Sequence, residues 1–395
     1  MPRLPRFRIK TLLLLLGSLA FCFVLLEAGL ALMVKLGRLP IEVPTYSWEA
    51  VSSMTEHFHV NCKPWGNWHL PNRVFRHKAQ CYDVVYRTNS VGARDRERPT
   101  RSNTTRAVVL GDSLTMGPGA PYGTRYTERL EDMTGLPHLN FGVAAVGPIC
   151  ELVLYRQLAS RFEHDAVLVG LFPANDFLDN SHQRALDDNY VTRPYLVGEG
   201  PDYELVLPDN MDLESEASRT FHFVKGFSLA RFLKNFTYTY NAYAYLEALA
   251  REMLKDHAQP VQRSRDGLPF SFYYEFSDKD WSVLREALAR LRQEAEGKKL
   301  LVFTIGSLPD YAAYTARNRT TPPLVTRLEA LSGEIGFEYV DLMSAMEAMH
   351  PDVEDYGMSC DGHFSRLGHE NAARALWRSG FYEDLAGART PGGRE

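Results

Sequence analysis

Hydrophobic positions fall into two kinds of run along this chain. Residues 11–34 are almost wholly apolar, interrupted by Glu27. At ~1.5 Å rise per residue, such a run is long enough to cross a bilayer core. Much shorter apolar runs follow at 107–110, 166–172 and 299–306, and they suit buried parallel strands. Residues 138–143 and 337–342 read as further strands. Between them the spacing predicts helices over 122–133, 148–162 with proline near its start, 281–296 with Leu284, Leu288 and Leu291 on one face, and 323–333 ending on glycine. Strands alternating with helices predict an α/β fold, a three-layer doubly wound parallel sheet.

Two stretches break that rhythm. Residues 35–105 are irregular and rich in aromatics, among them Trp48, Trp65, Trp68, Tyr82 and Tyr86. Within them, 81–87 alternates like a strand and Asn89-Ser90-Val91-Gly92 reads as a turn. The rings either stack on sugars or form a lid packed on the main domain. Residues 179–280 carry Phe232, Phe236, Tyr238, Tyr240, Tyr243 and Tyr245. That pattern reads as a partly helical insertion over a crevice, a hydrophobic satellite or a partner surface. The expected division is a basic cytoplasmic tail (1–10), a transmembrane anchor (11–34), the aromatic-rich segment (35–105), a main domain (106–385) with its insertion (179–280), and a disordered tail (386–395).

Charge sharpens the picture at the N-terminus. Arg3, Arg6, Arg8 and Lys10 precede the apolar run, so the positive-inside tendency places the N-terminus in the cytosol and the rest outside. The expected location is a single-pass anchor in the cytoplasmic membrane with a periplasmic domain. A cleaved signal peptide ending near Gly29-Leu30-Ala31 is the rival reading, and continuation of the run to Val34 favours the anchor. The formal net charge of -5 gives no nucleic-acid footprint. Of five cysteines, Cys62 and Cys81 are placed to pair in an oxidising compartment, whereas Cys150 and Cys360 read as buried thiols. No zinc-like ligand set is visible, so no metal or organic cofactor is expected.

The chemistry gathers around residues 106–120, where the apolar run Ala107–Leu110 breaks on Gly111-Asp112-Ser113. A serine at the carboxyl end of a central strand lies where open α/β sheets place their ligand crevice. Capping of the next helix is the plainer role for it. Three other stretches reach the same crevice in a doubly wound sheet: Asn140-Phe141-Gly142, Ala174-Asn175-Asp176 and Asp361-Gly362-His363. Gly142 lacks a Cβ, so its backbone can approach an oxyanion closely. Asn175 offers a neutral amide donor. Asp361 and His363 are two apart, and an extended backbone would point them to the same side. Asp112 and Asp176 read as loop braces, and His369 as packing or capping.

Together these stretches resemble the SGNH (GDSL-type) hydrolase family over about 106–180 and 281–377. The chain is also similar to bacterial envelope members, through Leu26-Glu27-Ala28-Gly29-Leu30 in the anchor and the Asn89, Ser90, Gly92, Arg94 pattern. The resemblance implies Ser113 as nucleophile, His363 as general base and then acid, and Asp361 as its partner. It implies an oxyanion hole from the backbone N–H groups of Ser113 and Gly142 and the Asn175 amide. Two features depart from the family pattern. Asp361 precedes His363 by two residues where three are common, and the third motif reads Pro173-Ala174-Asn175-Asp176 rather than beginning with glycine. The implied function is an extracytoplasmic serine esterase acting on O-acyl, foremost O-acetyl, esters of a cell-envelope glycan. An O-acetyltransferase, a lipase-like esterase and a non-catalytic glycan-binding or assembly scaffold are the alternatives. Expected partners are an acylated glycan or small ester, the bilayer, and polysaccharide-synthesis proteins.

Overall fold

The computed structural model describes residues 9–46, 59–79, 81–187, 193–208, 229–254, 264 and 266–385. The basic tail up to residue 8, Trp48 and the tail expected at 386–395 lie outside them. The chain divides into two units, Met1–Ser53 with Lys225–Gln259, and Met54–Val224 with Pro260–Glu395. The first contains helix α1 (Ile9–Lys35), the apolar run noted above, long and apolar enough to cross a membrane between Lys10 and Lys35.

The second unit is built on a parallel sheet. Ala107-Val-Val-Leu-Gly111 becomes the interior strand β1 (Ala107–Gly111), buried at every position. Strands β2 (His138–Asn140), β3 (Ala166–Leu171), β4 (Lys299–Thr304) and β5 (Glu338–Asp341) complete it in the order β5-β4-β3-β1-β2, all parallel. β3 is also buried throughout, which is why it reads as an unbroken apolar run rather than an alternation. The chain steps from β1 outward to β2, then returns past β1 to β3. Right-handed crossovers therefore put helix α3 (Tyr126–Thr134) on one face and α4 (Pro148–Gln157) and α8 (Asp278–Glu294) on the other. The packing agrees: α3 lies against the last helix, α9 (Arg366–Arg378), and α4 lies against α8. The switch of direction at β1 opens the crevice at its carboxyl end.

Several boundaries moved for identifiable reasons. α3 starts at Tyr126 because Pro121 to Gly123 form a turn, and the Glu128 carboxylate then accepts the Arg125 N–H at 3.0 Å. The helix expected to stop on Gly333 continues to Ile335 (Pro323–Ile335). It ends at Gly336, where the backbone turns left-handed at φ 81°.

The aromatic-rich segment forms two antiparallel hairpins, His59–Lys63 with Gly66–His69 and Val74–Lys78 with Asp83–Arg87. Trp65 and Trp68 are 7% and 1% exposed, and Tyr86 is fully buried. Trp68 Nε1 donates to the Val91 carbonyl at 2.8 Å and its ring stacks on Phe141. These rings are packed into the core and present no open face to a sugar. The turn after them closes through Gly92 N–H to the Asn89 carbonyl at 3.0 Å.

One expectation about cysteine is overturned. Cys81 is bonded to Cys360, not to Cys62. The partners lie 279 residues apart, and the fold brings their Cα atoms within 5.8 Å. Cys360 is accordingly no buried thiol, whereas Cys150 is buried and free.

Candidate active site

The site begins where β1 ends. Gly111 has φ 152°, and a Cβ there would lie 2.1 Å from Thr115 Oγ1, so no side chain fits. The chain then turns into the short helix α2 (Ser113–Met116). Asp112 caps it: Oδ1 accepts the Leu114 N–H at 2.9 Å, and Oδ2 accepts the Asn175 amide at 3.0 Å. Ser113 is thus the first residue of a helix, where a backbone N–H has no partner in its own helix.

His363 reaches the same point from the loop before α9. Its Nε2 lies 3.0 Å from Ser113 Oγ. Its Nδ1 lies 3.2 Å from Asp361 Oδ1, close enough for charge pairing. Among the described residues, however, Nδ1 has no directed hydrogen bond. The reason is local. The stretch 361–363 is not extended as expected: Gly362 takes φ 71°, and Asp361 Oδ1 accepts the backbone N–H of His363 at 3.0 Å. An aspartate two residues before the histidine closes an Asx turn on it. The carboxylate is then held beside the ring, off the Nδ1–H axis.

The other Asp361 oxygen, Oδ2, accepts the Tyr82 hydroxyl at 3.0 Å. Burial pushes the Asp361 carboxyl up, but the hydrogen bonds from His363 and Tyr82 outweigh it and hold it below the usual range. The hairpin that carries Tyr82 contributes more. Gly119 N–H donates to the Tyr86 hydroxyl at 2.8 Å, and that oxygen lies 2.8 Å from His77 Nδ1. Burial lowers the His77 pKa to about 4, so this ring stays neutral beside the site at ordinary pH. Tyr82 and the Cys81–Cys360 bond were not singled out as site features from sequence. The one available signal was that each cysteine immediately precedes a residue of this cluster.

Asn175 lies in the first turn of helix α5 (Pro173–Asp179). Its amide nitrogen donates to Asp112, which leaves a second N–H on the same nitrogen. Gly142 differs from expectation. Its N–H already donates to Asn140 Oδ1 at 2.8 Å. Asn140 is fixed in turn by donating to the Thr115 carbonyl at 2.8 Å and Thr127 Oγ1 at 3.1 Å. Glycine is still required, because a Cβ on residue 142 would sit 2.5 Å from the Met116 nitrogen.

The model of the GDSL-like Lipase/Acylhydrolase family matches residues 109–370. The chain belongs to this family. It is a GDSL-type serine hydrolase, and the matched span runs from β1 into α9. No curated protein matches the chain. Among solved structures it is similar to a lipase/acylhydrolase from Enterococcus faecalis, at 13% identity over 73% of this chain and 100% of that one, with a TM-score of 0.36. It is similar to a member of the lipolytic G-D-S-L family from Veillonella parvula, at 9% identity, 70% and 97% coverage and a TM-score of 0.36. It is similar as well to an acetyl xylan esterase from Geobacillus stearothermophilus, at 12% identity, 70% and 96% coverage and a TM-score of 0.36.

Behind Ser113, this GDSL-type chain buries three carboxyls. Burial raises Asp112 to about 6, and burial with mutual repulsion holds Glu151 and Asp176 well above their usual range. Asp176 Oδ2 accepts the Phe172 N–H at 2.7 Å, which fixes the turn into α5. His369 caps α3, its Nδ1 accepting the Tyr126 N–H at 3.2 Å. Burial lowers this histidine to about 3, so it stays neutral and can accept. The described residues hold no cluster of His, Cys, Asp or Glu suited to a metal ion.

Proposed function

We propose that the protein is a membrane-anchored, extracytoplasmic esterase that removes O-acyl groups, acetyl first among them, from a cell-envelope glycan. The observation that carries the reaction is the 3.0 Å separation of Ser113 Oγ and His363 Nε2. In this reading Nε2 takes the hydroxyl proton as Oγ attacks the ester carbonyl. The resulting imidazolium is stabilised by Asp361, 3.2 Å from Nδ1. Negative charge on the carbonyl oxygen is met by the Ser113 N–H and the free Asn175 amide hydrogen, each such donor being worth about 3 kcal/mol of transition-state stabilisation. His363 returns its proton to the leaving sugar hydroxyl, leaving an acyl-enzyme on Ser113. Water then attacks the acyl carbon as His363 takes its proton; His363 passes that proton to Ser113 Oγ as the acyl–Oγ bond breaks, and the carboxylic acid leaves and ionises in water.

Location supports the substrate class. The basic flank before α1 favours an outside domain. The Cys81–Cys360 bond suits an oxidising compartment. A domain held there by α1 meets envelope polysaccharides. The test uses the detergent-solubilised full chain with p-nitrophenyl acetate and an O-acetylated glycan, beside Ser113→Ala. Acetate release that needs Ser113, with fluorophosphonate labelling of that serine, is expected. Acetyl appearing on a second sugar instead of in water would make it a transferase, and Ser113-independent turnover would remove the mechanism.

A further inference from the structure

Glu27 is the single acidic residue of α1 and lies within its apolar stretch. Counting ~1.5 Å per residue from the middle of the span Lys10–Lys35, it sits ~7 Å beyond the midplane, inside a hydrocarbon core of about 30 Å. A carboxylate at that depth is costly unless it finds partners. It has them within the same structural unit. Helix α6 (Leu229–Phe236) is followed directly by α7 (Tyr238–Leu254), with Thr237 alone between them. Glu27 Oε2 accepts the Tyr238 N–H and Oε1 the Thr239 N–H, both at 2.8 Å. These are the first two residues of α7, whose N–H groups have no acceptor in their own helix. The carboxylate and the helix start satisfy each other. In water either would be solvated without the other, so the pairing gains its value where water is scarce.

The chain leaving α1 reinforces the joint. Buried Asn241 donates to the Glu42 carbonyl at 2.9 Å and the Lys234 carbonyl at 3.0 Å. Thr45 Oγ1 donates to Asn235 Oδ1 at 2.6 Å, and Tyr46 N–H to the Asn235 carbonyl at 2.9 Å. Among the described side chains, the exposed positions of α7 are apolar, whereas α6 exposes Arg231 and Lys234 beside Leu229. Leu229, Tyr243 and Leu246 are 63%, 59% and 62% exposed. Tyr243, Leu246 and the exposed Ala250 recur at helical spacing on one face of α7. Tyr243 and Tyr245, further along α7, have the amphipathic rings that settle at a membrane interface.

We propose that α6 and α7 are a second membrane element, docked on the membrane-spanning helix through Glu27, with Leu229, Tyr243 and Leu246 facing the outer-leaflet lipid. The inference rests on the anchor reading of α1 given above. Continuity with that span identifies lipid as the occupant. The helix pair is fastened to a helix whose own surface would be covered by acyl chains.

The test uses the full chain, with Cys22→Ser and Cys62→Ser, in vesicles of phosphatidylethanolamine and phosphatidylglycerol. An NBD label is placed at Leu246→Cys, or in a separate protein at Leu19→Cys within α1. Brominated acyl chains should remove about half or more of the emission at both sites, because interfacial helices bury their apolar face at the acyl boundary. Glu27→Leu should abolish the quenching at 246 and leave that at 19 intact. Quenching at 19 with a water-like, unquenched label at 246 keeps the anchor and overturns the second membrane element. No quenching at either site overturns both readings. Full quenching at 246 in Glu27→Leu overturns the docking role of Glu27.

Discussion

The Tyr82 hydroxyl donates to the carboxylate of Asp361 at 3.0 Å, and the residues immediately before them, Cys81 and Cys360, are joined by a disulfide. The second hairpin of the aromatic-rich segment is therefore covalently and electrostatically part of the histidine loop. This matters because Asp361 is not aligned on His363 Nδ1 and must be held by other groups.

Tyr82→Phe removes one donor from Asp361. A lost hydrogen bond of this kind is worth ~1 kcal/mol, so kcat/KM should fall about 3- to 10-fold. Asp361 sits below its usual pKa partly through Tyr82. The Asp361 carboxyl should therefore titrate at higher pH in Tyr82→Phe, read by carboxyl-carbon NMR. An Asp361 titration superimposable on that of the native enzyme would deny Tyr82 this positioning role.

The disulfide closes a long loop, and its removal should cost about 2–5 kcal/mol of stability. Reduction below the melting point should lower kcat, because the Asp361–His363 turn directly follows Cys360. Reoxidation should restore the activity. The check is esterase rate against thiol titration, and a reduced, folded enzyme of full activity would separate the bond from catalysis.

Asn175→Ala should lower kcat about 100- to 1,000-fold with little change in KM, as for loss of an oxyanion donor. Gly142→Ala should act differently. Its N–H is already engaged by Asn140, and the added methyl would meet the Met116 nitrogen at 2.5 Å. Overpacking of about 1–3 kcal/mol is expected, seen as a lowered Tm. A stable Gly142→Ala protein with selectively lowered kcat would instead return Gly142 to the oxyanion hole.

The three carboxyls behind Ser113 are raised in the folded state, Asp112 to about 6 and Glu151 and Asp176 well above their usual range. The native state then binds more protons than the unfolded chain, whose carboxyls titrate near 4. Their contribution is fully present below about pH 4 and is lost as pH rises through about 6 and beyond. Glu151→Gln should raise Tm at pH 8 and leave it nearly unchanged at pH 4. Equal shifts at both pH values would mean that Glu151 binds its proton equally in the folded and unfolded chain.

What the sequence determined alone is local. Unbroken apolar runs specify strands buried on both faces, the order of strands and helices specifies a parallel sheet, and Ser113, Asn175 and His363 sit in short motifs at element ends. The tertiary structure decided which groups act on those residues. The Cys81–Cys360 bond, the Tyr82–Asp361 contact and the Glu27–Tyr238 joint each link segments more than 200 residues apart, and no periodicity encodes such pairings. The turn at Gly362 and the use of the Gly142 N–H by Asn140 are short-range, yet alternative local hydrogen bonds compete there with extended backbone. Packing of the surrounding loops selects among them.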